Sequence, residues 1–73
     1  MNGGIDMLPQ HTYIVRFIKQ DGKTEECEHI EKSVAEYHFL QCLKDVDMYQ
    51  RIVLIDRDWK NNTDTPLREG VFD

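Results

Sequence analysis

The two cysteines of this chain each stand beside a histidine, as Cys27-Glu28-His29 and His38-Phe39-Leu40-Gln41-Cys42. Thiolate and imidazole are the ligands of structural zinc, bound at about 2.3 Å and 2.0–2.1 Å. Residues i and i+2 share one face of a strand, and residues i and i+4 share one face of a helix. If Cys27 and His29 end a strand and His38 and Cys42 lie on a helix, the four converge on one point. The expected cofactor is therefore a structural zinc ion held by Cys27, His29, His38 and Cys42. Four protein ligands fill a tetrahedral shell and leave no position for a reacting water. Two other readings of the same residues stay open: buried thiols with two unrelated histidines, or a disulfide between Cys27 and Cys42. Cys-x-His is not a standard finger spacing.

Other catalytic signatures are missing from the sequence. It has no Gly-rich phosphate loop, no Ser-His-Asp set and no paired carboxylates in an apolar stretch. Glu25 and Glu28 lie near the expected ligands, but charges flanking a strand are normally solvated. His11 stands alone and reads as a surface residue. The expectation is a protein without enzymatic activity.

A chain of 73 residues makes one small domain, a size at which a metal or a partner often completes the stabilisation. Its net charge of −5, from 14 acidic and 9 basic residues, argues against direct nucleic-acid binding, which needs a basic stripe. No apolar run is long enough to span a membrane and no signal peptide opens the sequence, so the expected location is the cytoplasm. Reducing conditions there favour a metal over a disulfide.

The elements that must position the ligands follow from pattern. Residues 1–11 read as a flexible lead-in, 12–56 as the folded domain with its zinc site, and 57–73 as a partly ordered C-terminal segment of the same domain. The run from Thr12 to Lys19 is rich in β-branched and aromatic residues and predicts a first strand. Gln20-Asp21-Gly22-Lys23 is a hairpin turn, because Asp-Gly supplies positive φ angles. Thr24 to Ile30 returns as the second strand. A two-residue loop would pair Cys27 with Arg16 and His29 with Ile14. A three-residue loop with a Gly bulge is preferred; it is expected to set Cys27 beside Phe17 and His29 beside Val15, gathering Tyr13, Val15, Phe17, Cys27 and His29 on one face.

Ser33-Val34-Ala35-Glu36 has the form of a capping box opening a helix from about Val34 to Lys44. Its apolar half holds Val34, Ala35, His38, Phe39, Cys42 and Leu43; Glu36, Tyr37, Leu40, Gln41 and Lys44 face out. Met48 to Ile55 predicts a third strand. The expected fold is α+β, a β-β-α-β unit with a three-stranded sheet of order 2-1-3. One helix packs on one face, the third strand runs antiparallel to the first, and the metal site staples the whole. Beyond Asp56 the chain is polar and turn-rich, with Trp59, Leu67, Val71 and Phe72 as anchors.

What remains for function is a binding surface. Glu25, Glu26, Glu28 and Glu31 form an acidic cluster on the second strand and the loop after it. One reading is a solvated coat that blocks edge-to-edge association. The other is a field complementary to a basic partner, with Tyr37 and Leu40 as apolar anchors. The Cys27-x-His29 and His38-x3-Cys42 hairpin-and-helix layout is similar to a ββα zinc finger, but the outer helix face lacks the Arg and Lys that read a major groove.

With those pairs set in an acidic β-β-α-β chain, the sequence resembles small phage and mobile-element proteins, most of all the anti-CRISPR inhibitors of type II-A effector nucleases. The resemblance covers Thr12 to Ile55 and rests on layout, acidity and ligand pattern. It implies a monomeric inhibitor, acting in the bacterial host cell, that binds a basic bacterial protein, a CRISPR effector nuclease. Target DNA would then be kept from the positively charged channel of that nuclease, and zinc would hold the inhibitor's fold. The alternative is a zinc-stabilised accessory or regulatory protein of a mobile element that binds another host protein.

Overall fold

A computed structural model describes residues 10–45 and 47–71. Most of the expected lead-in, Val46 and the anchor Phe72 lie outside the described residues. Strand β1 (His11–Lys19) and strand β2 (Thr24–His29) form the expected hairpin. The turn is the bulged form with three loop residues, Gln20-Asp21-Gly22. The Gly22 N–H donates to the Lys19 carbonyl at 2.9 Å and the Lys19 N–H to the Lys23 carbonyl at 2.8 Å. Gly22 supplies the left-handed conformation at φ +89°, and the Asp21 carboxylate accepts from the Lys23 N–H at 2.9 Å.

The pairing corrects the expected register. Cys27 lies opposite Val15 and His29 opposite Tyr13, two positions from the anticipated partners. A shift of two keeps every side chain on its face, because strand periodicity is two. Tyr13, Val15, Phe17, Cys27 and His29 therefore do share the helix side of the sheet.

Helix α1 (Lys32–Leu43) starts earlier than the capping box implied. Its N-cap is Glu31, which makes no side-chain capping bond; Ser33 falls inside the first turn and caps nothing. What fixes the helix is burial. Ala35, Phe39 and Cys42 are its buried residues, and they meet Val15 and Phe17 of β1 and two side chains of the third strand, Ile52 and Leu54. Val34, expected inside, is exposed, since its position has rotated to the flank of the helix.

Strand β3 (Tyr49–Asp58) pairs antiparallel with β1 along its length, as expected, with Val15 opposite Leu54 and Phe17 opposite Ile52. The sheet then departs from the three-stranded expectation. Strand β4 (Thr63–Val71) pairs antiparallel with β3, and the order is β2-β1-β3-β4. The Asn-rich stretch is the hairpin loop: Asn62 sits at φ 56°, and the Asp58 carboxylate accepts from the backbone N–H groups of Lys60 and Asn61. Beyond it, Arg57 pairs with Asp64 at 2.9 Å, and Arg51 pairs with Glu69. A bulge at Leu67 separates the Leu54–Arg68 and Ile55–Pro66 pairs. Pro66 removes one backbone donor, which an edge strand tolerates.

Phe39 is 1% exposed at the centre of the helix–sheet contact. Phe39→Ala is expected to destabilise the protein by about 3–5 kcal/mol through lost burial and a residual cavity. A urea denaturation midpoint measured beside the exposed control Tyr37→Ala checks this; a Phe39→Ala loss no larger than the control's contradicts the packing.

Candidate functional site

Each half of the Cys/His constellation is positioned by its own element. Strand alternation puts Cys27 and His29, both half-buried, on the helix side of β2. The helical repeat puts half-buried His38 and buried Cys42 one turn apart on α1, which packs against that face. His29 Nε2 and His38 Nδ1 are 3.0 Å apart, with the rings edge-on at an interplanar angle of 83°. One of these nitrogens donates and the other accepts, so at least one ring is neutral.

Burial lowers the pKa of His38 from its ordinary value, and the nearby charge of His29 adds to the effect. The Cys42 thiol is pushed up by burial and by the neighbouring Asp45 and Cys27, and a hydrogen bond with Tyr49 partly offsets this. The Tyr49 phenol is raised too, by burial first and then by Cys42. Both cysteines are free thiols. The fold thus brings the imidazoles into contact and sets both thiols in the same layer. Among the described residues, no three His, Cys, Asp or Glu side chains are gathered closely enough to hold a metal ion.

The four glutamates do not form one surface. Glu25 lies on the helix side of β2, while Glu26 and Glu28 lie on the opposite face. Three of them have partners within the protein: Glu25 with Lys19 at 2.7 Å, Glu26 with Arg16 at 2.5 Å, and Glu28 accepting from the Thr12 hydroxyl at 2.6 Å. Glu31 is the exposed N-cap residue of α1. Cross-strand ion pairs answer Glu25 and Glu26, while the partner of Glu28 is an uncharged hydroxyl, which the linear count of acids could not reveal.

Tyr37 and Leu40, by contrast, are exposed as anticipated, at 66% and 42%. Two neighbours extend them: Val34 at 47%, three residues earlier on α1, and Ile30 at 69% in the β2–α1 connection. Positions 34, 37 and 40 follow the i, i+3 row of a helix surface and make a continuous apolar ridge. Sequence reasoning missed Ile30 and Val34 because one was assigned to the strand and the other to the core.

The helix-free face of the sheet holds a second feature that the sequence reading did not anticipate. Ile18, Val53, Ile55 and Pro66 floor a shallow groove of 410 Å³, walled by Arg16, Arg51, Asp64 and Glu69. At one end of this face Trp59 Nε1 donates to Thr12 Oγ1 at 2.8 Å, and the Arg57 guanidinium lies 5.7 Å from the Trp59 ring centre.

Compared with known families, curated proteins and solved structures, the chain matches none. Among the described residues no helix is long and apolar enough to cross a membrane.

His11 is exposed, as read from sequence, but it has a partner: its Nδ1 lies 2.8 Å from the Asp56 carboxylate. The hydrogen bond to Asp56 raises its pKa above the ordinary 6.5, with the charges of Asp56 and Asp58 contributing. A raised folded-state pKa gives stability that is fully present below the unfolded value and lost as pH rises through the folded one. His11→Gln is therefore expected to lower the denaturation midpoint at about pH 5.5, with no difference left by about pH 9. A gap that widens with pH contradicts the pairing.

Proposed function

We propose that this protein is a non-enzymatic binding protein that docks on its partner through the apolar ridge Ile30, Val34, Tyr37 and Leu40. The observation that carries this reading is the ridge itself. Four large apolar side chains stand in the solvent on one helix and its lead-in, on a chain whose core is otherwise closed over Phe39. A helix laid against a groove by such i, i+3 anchors is a recurrent recognition mode. Aromatic anchors such as Tyr37 commonly dominate the energetics of such contacts.

Charge favours a basic partner. The chain carries −5 overall, and Glu31 and Glu36 flank the ridge in sequence. Long-range attraction of this kind acts on the rate of encounter more than on final affinity. The resemblance of the Thr12 to Ile55 layout to type II-A anti-CRISPR inhibitors supports an RNA-guided nuclease in a bacterial cytoplasm as that partner. Bound as a monomer, the inhibitor would obstruct the basic channel into which target DNA must load.

The test is co-elution of the purified protein with a type II-A nuclease–guide complex at low and moderate salt, paired with a DNA-binding assay. A stoichiometric complex and loss of target binding are expected. Tyr37→Ala combined with Leu40→Ala should weaken the complex by about 2 kcal/mol or more while leaving the melting curve within about 0.5 kcal/mol of wild type. The absence of any complex at all ionic strengths sinks the nuclease assignment. Full binding by the double variant sinks the ridge.

A further inference from the structure

We infer that Cys27, His29, His38 and Cys42 form a binding site for one structural zinc ion, with His29 Nε2 and His38 Nδ1 as its imidazole donors. The inference is independent of what the ridge binds, because the four residues lie in the layer between helix and sheet. It starts from the spacing of two elements. Two residues of strand advance about 6.6 Å and four residues of helix about 6 Å, so Cys27 to His29 and His38 to Cys42 are steps of matched length. The chain reverses through Ile30 and Glu31 between β2 and α1. The reversal sets His38 near His29 and the more distant Cys42 toward the more distant Cys27.

The two imidazole nitrogens of this arrangement are already adjacent. Two nitrogens bound to one tetrahedral zinc at about 2.0–2.1 Å lie roughly 3.3 Å from one another. The observed separation of His29 Nε2 and His38 Nδ1 is 3.0 Å. That is within a few tenths of an ångström of the shared-ion distance. A shared ion requires the bridging proton to leave and both lone pairs to turn from one another toward a common point. Among the described residues, neither ring has a hydrogen bond to a carboxylate that would hold it as imidazolium. The thiol half shares the layer but is not converged: Cys27 packs on the cluster that contains Cys42, and both are unoxidised. Among the described residues no three of these side chains yet meet at one point, so metal binding must draw the thiols in.

The proton balance is simple. Two S–H protons leave to solvent as two Zn–S bonds form, and no oxidant or reductant is involved. The proton shared between the imidazoles moves to the ring nitrogen that faces away from the metal. Two thiolates and two neutral imidazoles around Zn²⁺ make a centre of zero net charge, which can lie in a half-buried layer without an unpaired charge. Soft sulfur and imidazole donors select zinc over magnesium or calcium.

The test is an anaerobic cobalt(II) titration of the reduced full-length protein, followed by displacement with zinc. Saturation at one equivalent is expected, with tetrahedral d–d bands and thiolate-to-cobalt charge transfer. Zinc should raise Tm, and a chelator should reverse the rise. Cys27→Ser and His29→Gln alter half-exposed residues of an edge strand, so circular dichroism can confirm that the variants remain folded. Each should weaken cobalt binding at least about tenfold, and Cys27→Ser should remove about half of the charge-transfer intensity. Failure of the wild-type protein to bind cobalt or zinc at equimolar concentration overturns the site, whatever the variants do. Binding without sulfur charge transfer, or unchanged in both variants, also overturns it. So does formation of a Cys27–Cys42 disulfide in protein that takes up no metal when reduced.

Discussion

The contact of one helix with the two central strands carries this fold. Ala35 is fully buried, so the α1 backbone approaches the sheet closely there, and Phe39 fills the space beyond it against Val15, Ile52 and Leu54. Fully burying an aliphatic or aromatic side chain stabilises by about 1.5–3 kcal/mol, and a chain this small has few such residues to spend. Everything else hangs from that layer. The hairpin places β2 beside β1, the helix closes over both, and the crossover sets β3 on the other side of β1. The two central strands consequently hold all the buried side chains of the sheet, and the two edge strands hold none.

The sequence was informative wherever apolar periodicity was strong. The first and third strands, the Asp-Gly turn and the helix all lie within a few residues of where pattern puts them. So does the grouping of Tyr13, Val15, Phe17, Cys27 and His29, because face parity survives a register error of two. Helix boundaries were less legible. The Ser33–Glu36 box is a valid local signal, but Ala35, Phe39 and Cys42 had to meet the sheet, and tertiary packing placed the start at Lys32 instead.

The fourth strand was illegible for a different reason. Thr63 to Val71 is polar, contains Pro66 and Gly70, and has no buried side chain. Its partner is the backbone of β3, with Arg51 and Arg57 answering Glu69 and Asp64, and those partners exist only once β3 is in place. A local window cannot detect that dependence. The acidic cluster failed in the same way, since Arg16 and Lys19 answer Glu26 and Glu25 from a neighbouring strand. The Cys/His pairs were legible as spacing and fold into one layer. The ridge was only half legible, because Val34 reads as part of the buried half of the helix and Ile30 as the end of the second strand, while both are exposed in the fold.

The place of β4 outside the helix's cover divides the molecule into regions of unequal persistence. It is an edge strand, and its side-chain ties are two exposed ion pairs and the Arg68 guanidinium 5.6 Å from the Phe39 ring centre. Exposed ion pairs each contribute about 0–1 kcal/mol and fade with added salt. Opening that ribbon releases no buried β4 side chain, whereas opening β1 from β3 uncovers the core. Amide protons along β4 therefore exchange with solvent through a local, salt-sensitive excursion, and those of the central strands only through global unfolding. The molecule has an inner unit that melts as one and an outer ribbon that breathes on its own, so a protease meets the ribbon first.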